Sequence, residues 1–235
     1  MACLLRTSRK KRGVMHVPDG FLSLPVSAAT GVVAVAAVGV ALRGARRELD
    51  ERTAPLAGLV ATFVFAAQMV NFPVGAGTSG HLIGGALAAV LVGPWTATLV
   101  LTVVTVVQAL LFADGGLTAL GTNVLLLAVV AVWVGWAGAA LVRRFAPRAR
   151  RLVPLAGAVG AFLGVPAAAL VFTVLYAVGG AVPVPLAALA GTMLGVHTLI
   201  GIGEAVITFG VLAAVVASRP DLVHVPDRDP AGVPA

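Results

Sequence analysis

A single cysteine, Cys3, stands in 235 residues, so no internal disulfide and no thiolate cluster for zinc or iron–sulfur can form. A metal bound here is held by nitrogen or oxygen. Lysine is confined to Lys10 and Lys11, and no Gly-Lys-Ser/Thr stretch occurs, which excludes a P-loop for ATP. Charged residues are 11% of the chain, against about a quarter in soluble domains, too few to cover a water-facing surface. No lysine or arginine lies between Arg52 and Arg143, or between Arg151 and Arg219. The net charge of +7 therefore sits in short clusters. A nucleic-acid reader would instead spread basic residues over a contact face, with aromatics for stacking. Clusters between apolar runs are the pattern of cytoplasmic loops in a membrane protein.

What remains is apolar: 60% of residues are hydrophobic, and the mean hydropathy is +1.05. A crossing needs roughly 20 apolar residues, because hydrocarbon about 30 Å thick is climbed at about 1.5 Å per residue. Runs at 22–42, 56–72, 117–142, 152–178 and 186–217 qualify. Residues 81–112 are too long for one upright helix and are interrupted at Gly93-Pro94-Trp95. There proline removes a backbone donor and turns the preceding residue away from helical geometry. Splitting them into 81–93 and 95–112 gives seven spans. Seven also places the basic clusters 43–52 and 143–151, with Arg219, on one side, whereas six would divide them. The fold expected is an all-α polytopic bundle of seven transmembrane helices, with the N-terminus outside and the C-terminus cytoplasmic. Loops 72–80, 113–117 and 179–185 then face outward.

The first 14 residues contradict that topology, since Arg6, Arg9, Lys10, Lys11 and Arg12 belong on the cytoplasmic side. A signal peptide fits poorly, because Pro18, Asp19, Gly20 and Pro25 separate the basic run from the apolar core. Translation from Met15 removes the conflict. The expected organisation is an upstream extension at 1–14, absent from the mature protein, a transmembrane metal-binding domain at 15–218, and a short polar cytoplasmic tail at 219–235.

A start at Met15 has a chemical consequence. The α-amine of Met15, the backbone nitrogen of His16 and the His16 imidazole can close five- and six-membered rings around one ion, in one plane. Planar nitrogen coordination suits Ni(II) or Cu(II), and Co(II) in a related geometry. Pro18-Asp19-Gly20 is a turn signal that lets this terminus fold back on the bundle. His81, at the outer end of the third span, is the candidate fourth donor. Asn71, Thr78, Ser79 and Asp114 lie close enough in the outward loops to orient the ligands or attract cations, although Asp114-Gly115 is first of all a turn. Because nitrogen donors bind unprotonated, affinity is expected to fall below about pH 6.5.

Glu204 is the one charged residue deep in an apolar run, and His197 lies seven positions before it, on roughly the same helical face. They read either as a second metal stop or proton relay, or as a buried polar pair fixing one helix against its neighbours. Gln68, Gln108 and Asn123 read as hydrogen-bonding groups between helices. Ala37, Ala41 and Ala45 form a small-residue stripe suited to close packing within the bundle.

The stretches MHVPDGFLS, NFPVGAGTSGHLIGGALAAVLVGPW, VQALLFADGGLTALGTN and MLGVHTLIGIGEA resemble the CbiM/NikM family, from Met15 to about Ser218. That resemblance implies the membrane-embedded substrate-specific component of an energy-coupling factor ABC transporter for cobalt or nickel. It implies capture of Co2+ or Ni2+ by the Met15 α-amine, the His16 backbone nitrogen and imidazole, and His81. It also implies partners: a transmembrane coupling subunit, a cytoplasmic ATPase pair and a separate small membrane accessory subunit, all in a bacterial cell membrane. No permanent cofactor, no catalysis and no nucleic acid are expected. An intramembrane enzyme using His197 and Glu204, or a passive divalent-cation channel, are the rivals. Neighbouring genes for cobalamin biosynthesis or a nickel enzyme would separate the two metals.

Overall fold

The computed structural model describes residues 16–75, 78–145 and 150–224; of residues 71–79 only the backbone is described. Its helices are α1 (Leu24–Ala45), α2 (Thr53–Gln68), α3 (Gly85–Val92), α4 (Pro94–Leu111), α5 (Leu120–Phe145), α6 (Val153–Gly179) and α7 (Leu186–Ser218). Seven helices thus occur among the described residues, at the seven runs expected. Five of them, α1 and α4 to α7, are long and apolar enough to cross a membrane. Helix α2 has 16 residues and α3 only 8, about 12 Å of rise, so α3 alone does not cross. All eight of its residues are buried: α3 is a short rod inside the bundle.

The expected outward loop at 72–80 contains the one sheet among the described residues. β1 (Asn71–Gly75) pairs antiparallel with β2 (Thr78–His81), Asn71 opposite His81 and Phe72 opposite Gly80, with an irregularity between Pro73 and Gly75. Pro73 has no N–H to donate, so a short, bulged hairpin is what this stretch can support.

Apolar residues face both ways, as lipid demands. Leu24, Val32 and Val35 on α1, and Leu199, Ile202 and Val206 on α7, are exposed, whereas Leu101, Leu189 and Leu212 are fully buried. Several threonine hydroxyls within the bundle bond to their own helix turn. Thr98 donates to the Pro94 carbonyl at 2.8 Å and Thr105 to Leu101 at 2.7 Å. Ala41 and Ala45 are buried, so the small-residue stripe on α1 packs within the bundle. Helix α5 contains a π-helical stretch at Leu125–Ala131, beginning two positions after Asn123.

The two ends of the bundle differ in chemistry. At one end, Glu48 accepts hydrogen bonds from the Trp95 and Thr96 amides and the Thr96 hydroxyl, holding the start of α4, where a carboxylate also complements the helix dipole. The His224 amide donates to Val90 at the C-terminal end of α3. The other end gathers residues 16–23, the 113–118 loop and the segment after α6. There the Ser23 amide donates to Gly179, the Ala181 amide to Phe21, and the Gly116 amide to Val17.

Candidate metal centre

His16 leads the segment that lies across this second end. Three sets of contacts fix it. Asn123 pairs with both polar groups of one peptide: the Val17 N–H donates to Asn123 Oδ1 at 3.0 Å, and Asn123 Nδ2 donates to the Val17 carbonyl at 3.2 Å. Asp19 Oδ1 accepts from the amide and hydroxyl of Thr118 at 2.7 and 2.6 Å, which holds its carboxyl below the usual range. Gly115, at φ +95, packs against His16, and a Cβ there would lie 2.9 Å from His16 Cβ and 3.0 Å from Asn123 Nδ2. The turn that Pro18-Asp19-Gly20 signals thus has a defined seat.

His81 comes from the other side, at the end of β2. Its ring centroid lies 4.7 Å from that of His16, with the planes tilted by 38°. Both rings are buried. On each ring one nitrogen faces a carbonyl oxygen. His16 Nε2 donates to Gln108 Oε1 at 2.8 Å, and His81 Nδ1 donates to the Leu82 carbonyl at 2.7 Å, since a carbonyl oxygen only accepts. In the neutral rings the lone pairs then sit on His16 Nδ1 and His81 Nε2. Burial, then the neighbouring His16 and His197, push His81 down to about 3, so it is neutral at any physiological pH.

The remaining candidates divide. Met15 lies outside the described residues. Asn71 stands directly across the hairpin from His81, and Thr78 and Ser79 share β2 with it. Asp114 is buried in the loop beside Gly115, its amide donating to the Gln108 carbonyl at 3.0 Å. His197 is buried, with Nδ1 donating to the Met193 carbonyl of its own helix at 2.8 Å. Glu204 accepts from the Ile83 amide at 2.6 Å and the Gly84 amide at 2.9 Å. His197 and Glu204 therefore have separate partners rather than forming a polar pair, because His197 satisfies its own helix turn while Glu204 reaches across to α3. Among the described residues, no group of three or more His, Cys, Asp or Glu gathers as a metal cluster. The histidine pair is what the geometry offers.

Gln108 and Asn123, read from sequence as links between helices, touch the His16 segment directly. The signal that they sit there was their position in the sequence: both flank the outward loop 113–117, one helix turn or two from it.

A bundle with five helices long and apolar enough to cross a membrane, and two buried histidines in contact at one end, defines a multi-pass membrane protein. Residues 16–222 match the family model CbiM, described as the cobalt uptake substrate-specific transmembrane region. The chain belongs to the CbiM family of cobalt and nickel transport proteins. It is 39% identical to the fused nickel transport protein NikMN of Rhodobacter capsulatus over 92% of this chain and 66% of that protein. With the cobalt transport protein CbiM of Sorangium cellulosum it shares 34% identity over 89% of this chain and 94% of the relative. A solved truncated transition metal transporter matches with a TM-score of 0.80 and 32% identity, over 86% of this chain and 99% of that one.

Proposed function

We propose that this chain captures Co2+ or Ni2+ at the histidine-bearing end of the bundle, as the substrate-binding component of an energy-coupling factor transporter. The observation that carries the reading is the pair of buried imidazoles, 4.7 Å apart, each oriented by a carbonyl on one nitrogen. His16 Nδ1 is the ring nitrogen that a chelate with its own backbone nitrogen requires, and the tautomer set by Gln108 leaves the lone pair there. With a mature chain starting at Met15, the α-amine completes three donors in one plane and His81 Nε2 supplies the fourth. Asp114, in the loop beside Gly115, and the hairpin positions Asn71, Thr78 and Ser79 are proposed to orient the ligands. The histidine-bearing end faces outward in this reading, because the arginines of 43–52 and Arg143, Arg144, Arg150 and Arg151 lie toward the opposite end, where Glu48 and His224 sit.

Gln108 fixes the tautomer, so Gln108→Leu should lower nickel or cobalt affinity about 10–100-fold, as for groups that orient a metal-binding histidine. Calorimetric titration checks it. The energy source is tested separately. Because the chain has no P-loop, a separate coupling subunit and ATPase pair, with a small accessory membrane subunit, are the proposed partners. Co-reconstituted in liposomes, the assembly should accumulate cobalt or nickel only with ATP. Equal flux through this chain alone would make it a passive channel.

A further inference from the structure

The carboxylate of Glu204 is buried in the bundle, and both of its oxygens point at consecutive amides, Ile83 at 2.6 Å and Gly84 at 2.9 Å. Gly84 has φ +78, so this peptide pair turns its N–H groups to one side, the arrangement that cradles an anion. Gln68 Nε2 donates to the Ile83 carbonyl at 2.9 Å and completes the clamp. The clamped residues follow His81 by two and three positions, within about 11 Å of chain.

Amide donors stabilise a carboxylate but do not neutralise it. No lysine or arginine occurs in residues 53–142 or 152–218, and among the described residues the ion pair is Arg219–Asp221, outside the bundle. A buried negative charge without a cation is costly. The captured ion has the complementary deficit. A divalent cation bound by an amine, two neutral imidazoles and one deprotonated backbone nitrogen keeps one net positive charge, since two positive charges meet one negative.

Resting on the proposed ligand set, we propose that Glu204 is the counter-charge of the captured ion as well as the clamp that positions the peptide after His81. The two roles serve one end: the ion neutralises the bundle's buried carboxylate, and the carboxylate disfavours loading by monovalent or neutral species. Neither the amine nor the imidazoles supply that selectivity, because they are neutral when they bind.

The test uses purified protein starting at Met15, titrated with nickel chloride and followed by calorimetry and by the visible ligand-field band of planar nickel. Glu204→Gln, which removes the charge, should weaken nickel at least about tenfold, with the band unmoved. Glu204→Asp, which keeps the charge, should stay within about fivefold of wild type. Wild-type affinity in E204Q overturns the proposal, and so does a shifted band in E204Q or an equal loss in both variants, either of which makes Glu204 a clamp alone. Should E204Q not fold, E204D decides by itself: a loss beyond fivefold overturns the counter-charge. Absence of a planar band in the wild-type protein is a different failure, that of the ligand set.

Discussion

Replacing His81 with alanine is expected to lower nickel or cobalt affinity by more than about 100-fold, beyond what removal of an orienting group costs. His16→Ala should do the same, because each substitution removes a donor and neither ring has a neighbour that can substitute for it. The nearest further imidazole, His197, is tied to Met193 in its own helix turn, and no cluster of three metal-binding residues forms among those described. The fold should survive. His81 contributes one hydrogen bond, to the Leu82 carbonyl, while the segment after it is held independently by Glu204 and Gln68. The stability cost is then about 1–3 kcal/mol, that of an unsatisfied buried acceptor. His224→Ala is the control, since His224 packs against Trp136 and bonds Val90 at the opposite end. Calorimetric titration of the three variants, with melting curves alongside, separates lost binding from lost structure. Wild-type affinity in both ligand variants would remove the histidine pair as the site.

The second large effect concerns the amine. One residue added before Met15 moves the basic amine away from its place beside His16 and leaves a second peptide nitrogen there, which binds only after losing its own proton. Binding at the His16–His81 site should fall by more than about 100-fold. The segment from His16 onward should still dock, because Val17 is paired with Asn123 and Asp19 with Thr118 whatever precedes them. Melting temperature should therefore be unchanged while affinity is lost. The same donor steepens the pH dependence. His81, pushed down to about 3 by burial, remains neutral throughout the working range and takes up no competing proton. An α-amine takes one up below about pH 7.7–8.0, so acid must compete with the metal there. Displacing the His16 peptide proton costs about tenfold in affinity per pH unit at any working pH. Below about pH 7.7–8.0 the amine adds a second proton, so the fall should steepen to about 100-fold per unit there, above the pH 6.5 that an imidazole would set. Equal binding by the chain starting at Met1, or a slope that does not steepen below about pH 8, would show that the amine is not a ligand.

The architecture was legible in the sequence because lipid leaves few options. Long apolar runs with arginine clusters between them mark helices and loops, and Gly93-Pro94 places the break between α3 and α4. The extent of α3 was not legible. Leu82 and Ile83 are as apolar as the helix that follows, yet Glu204 takes the Ile83 and Gly84 amides and leaves only eight residues helical. Hydropathy cannot see a clamp from 120 residues away. The same limit applies at the metal centre. His16 and His81 could be nominated by chemistry and by family resemblance, but Gln108 and Asn123 could not be assigned to His16 and Val17 rather than to a neighbouring helix. Those pairings, over 92 and 106 residues, depend on how the bundle closes.

X-ray absorption on the nickel-loaded protein, with its chain starting at Met15, tests the ligand set most directly. The account predicts four nitrogen neighbours in planar geometry, with the multiple scattering of two imidazole rings. A six-coordinate oxygen shell, a sulfur neighbour, or the scattering of a single imidazole would contradict it.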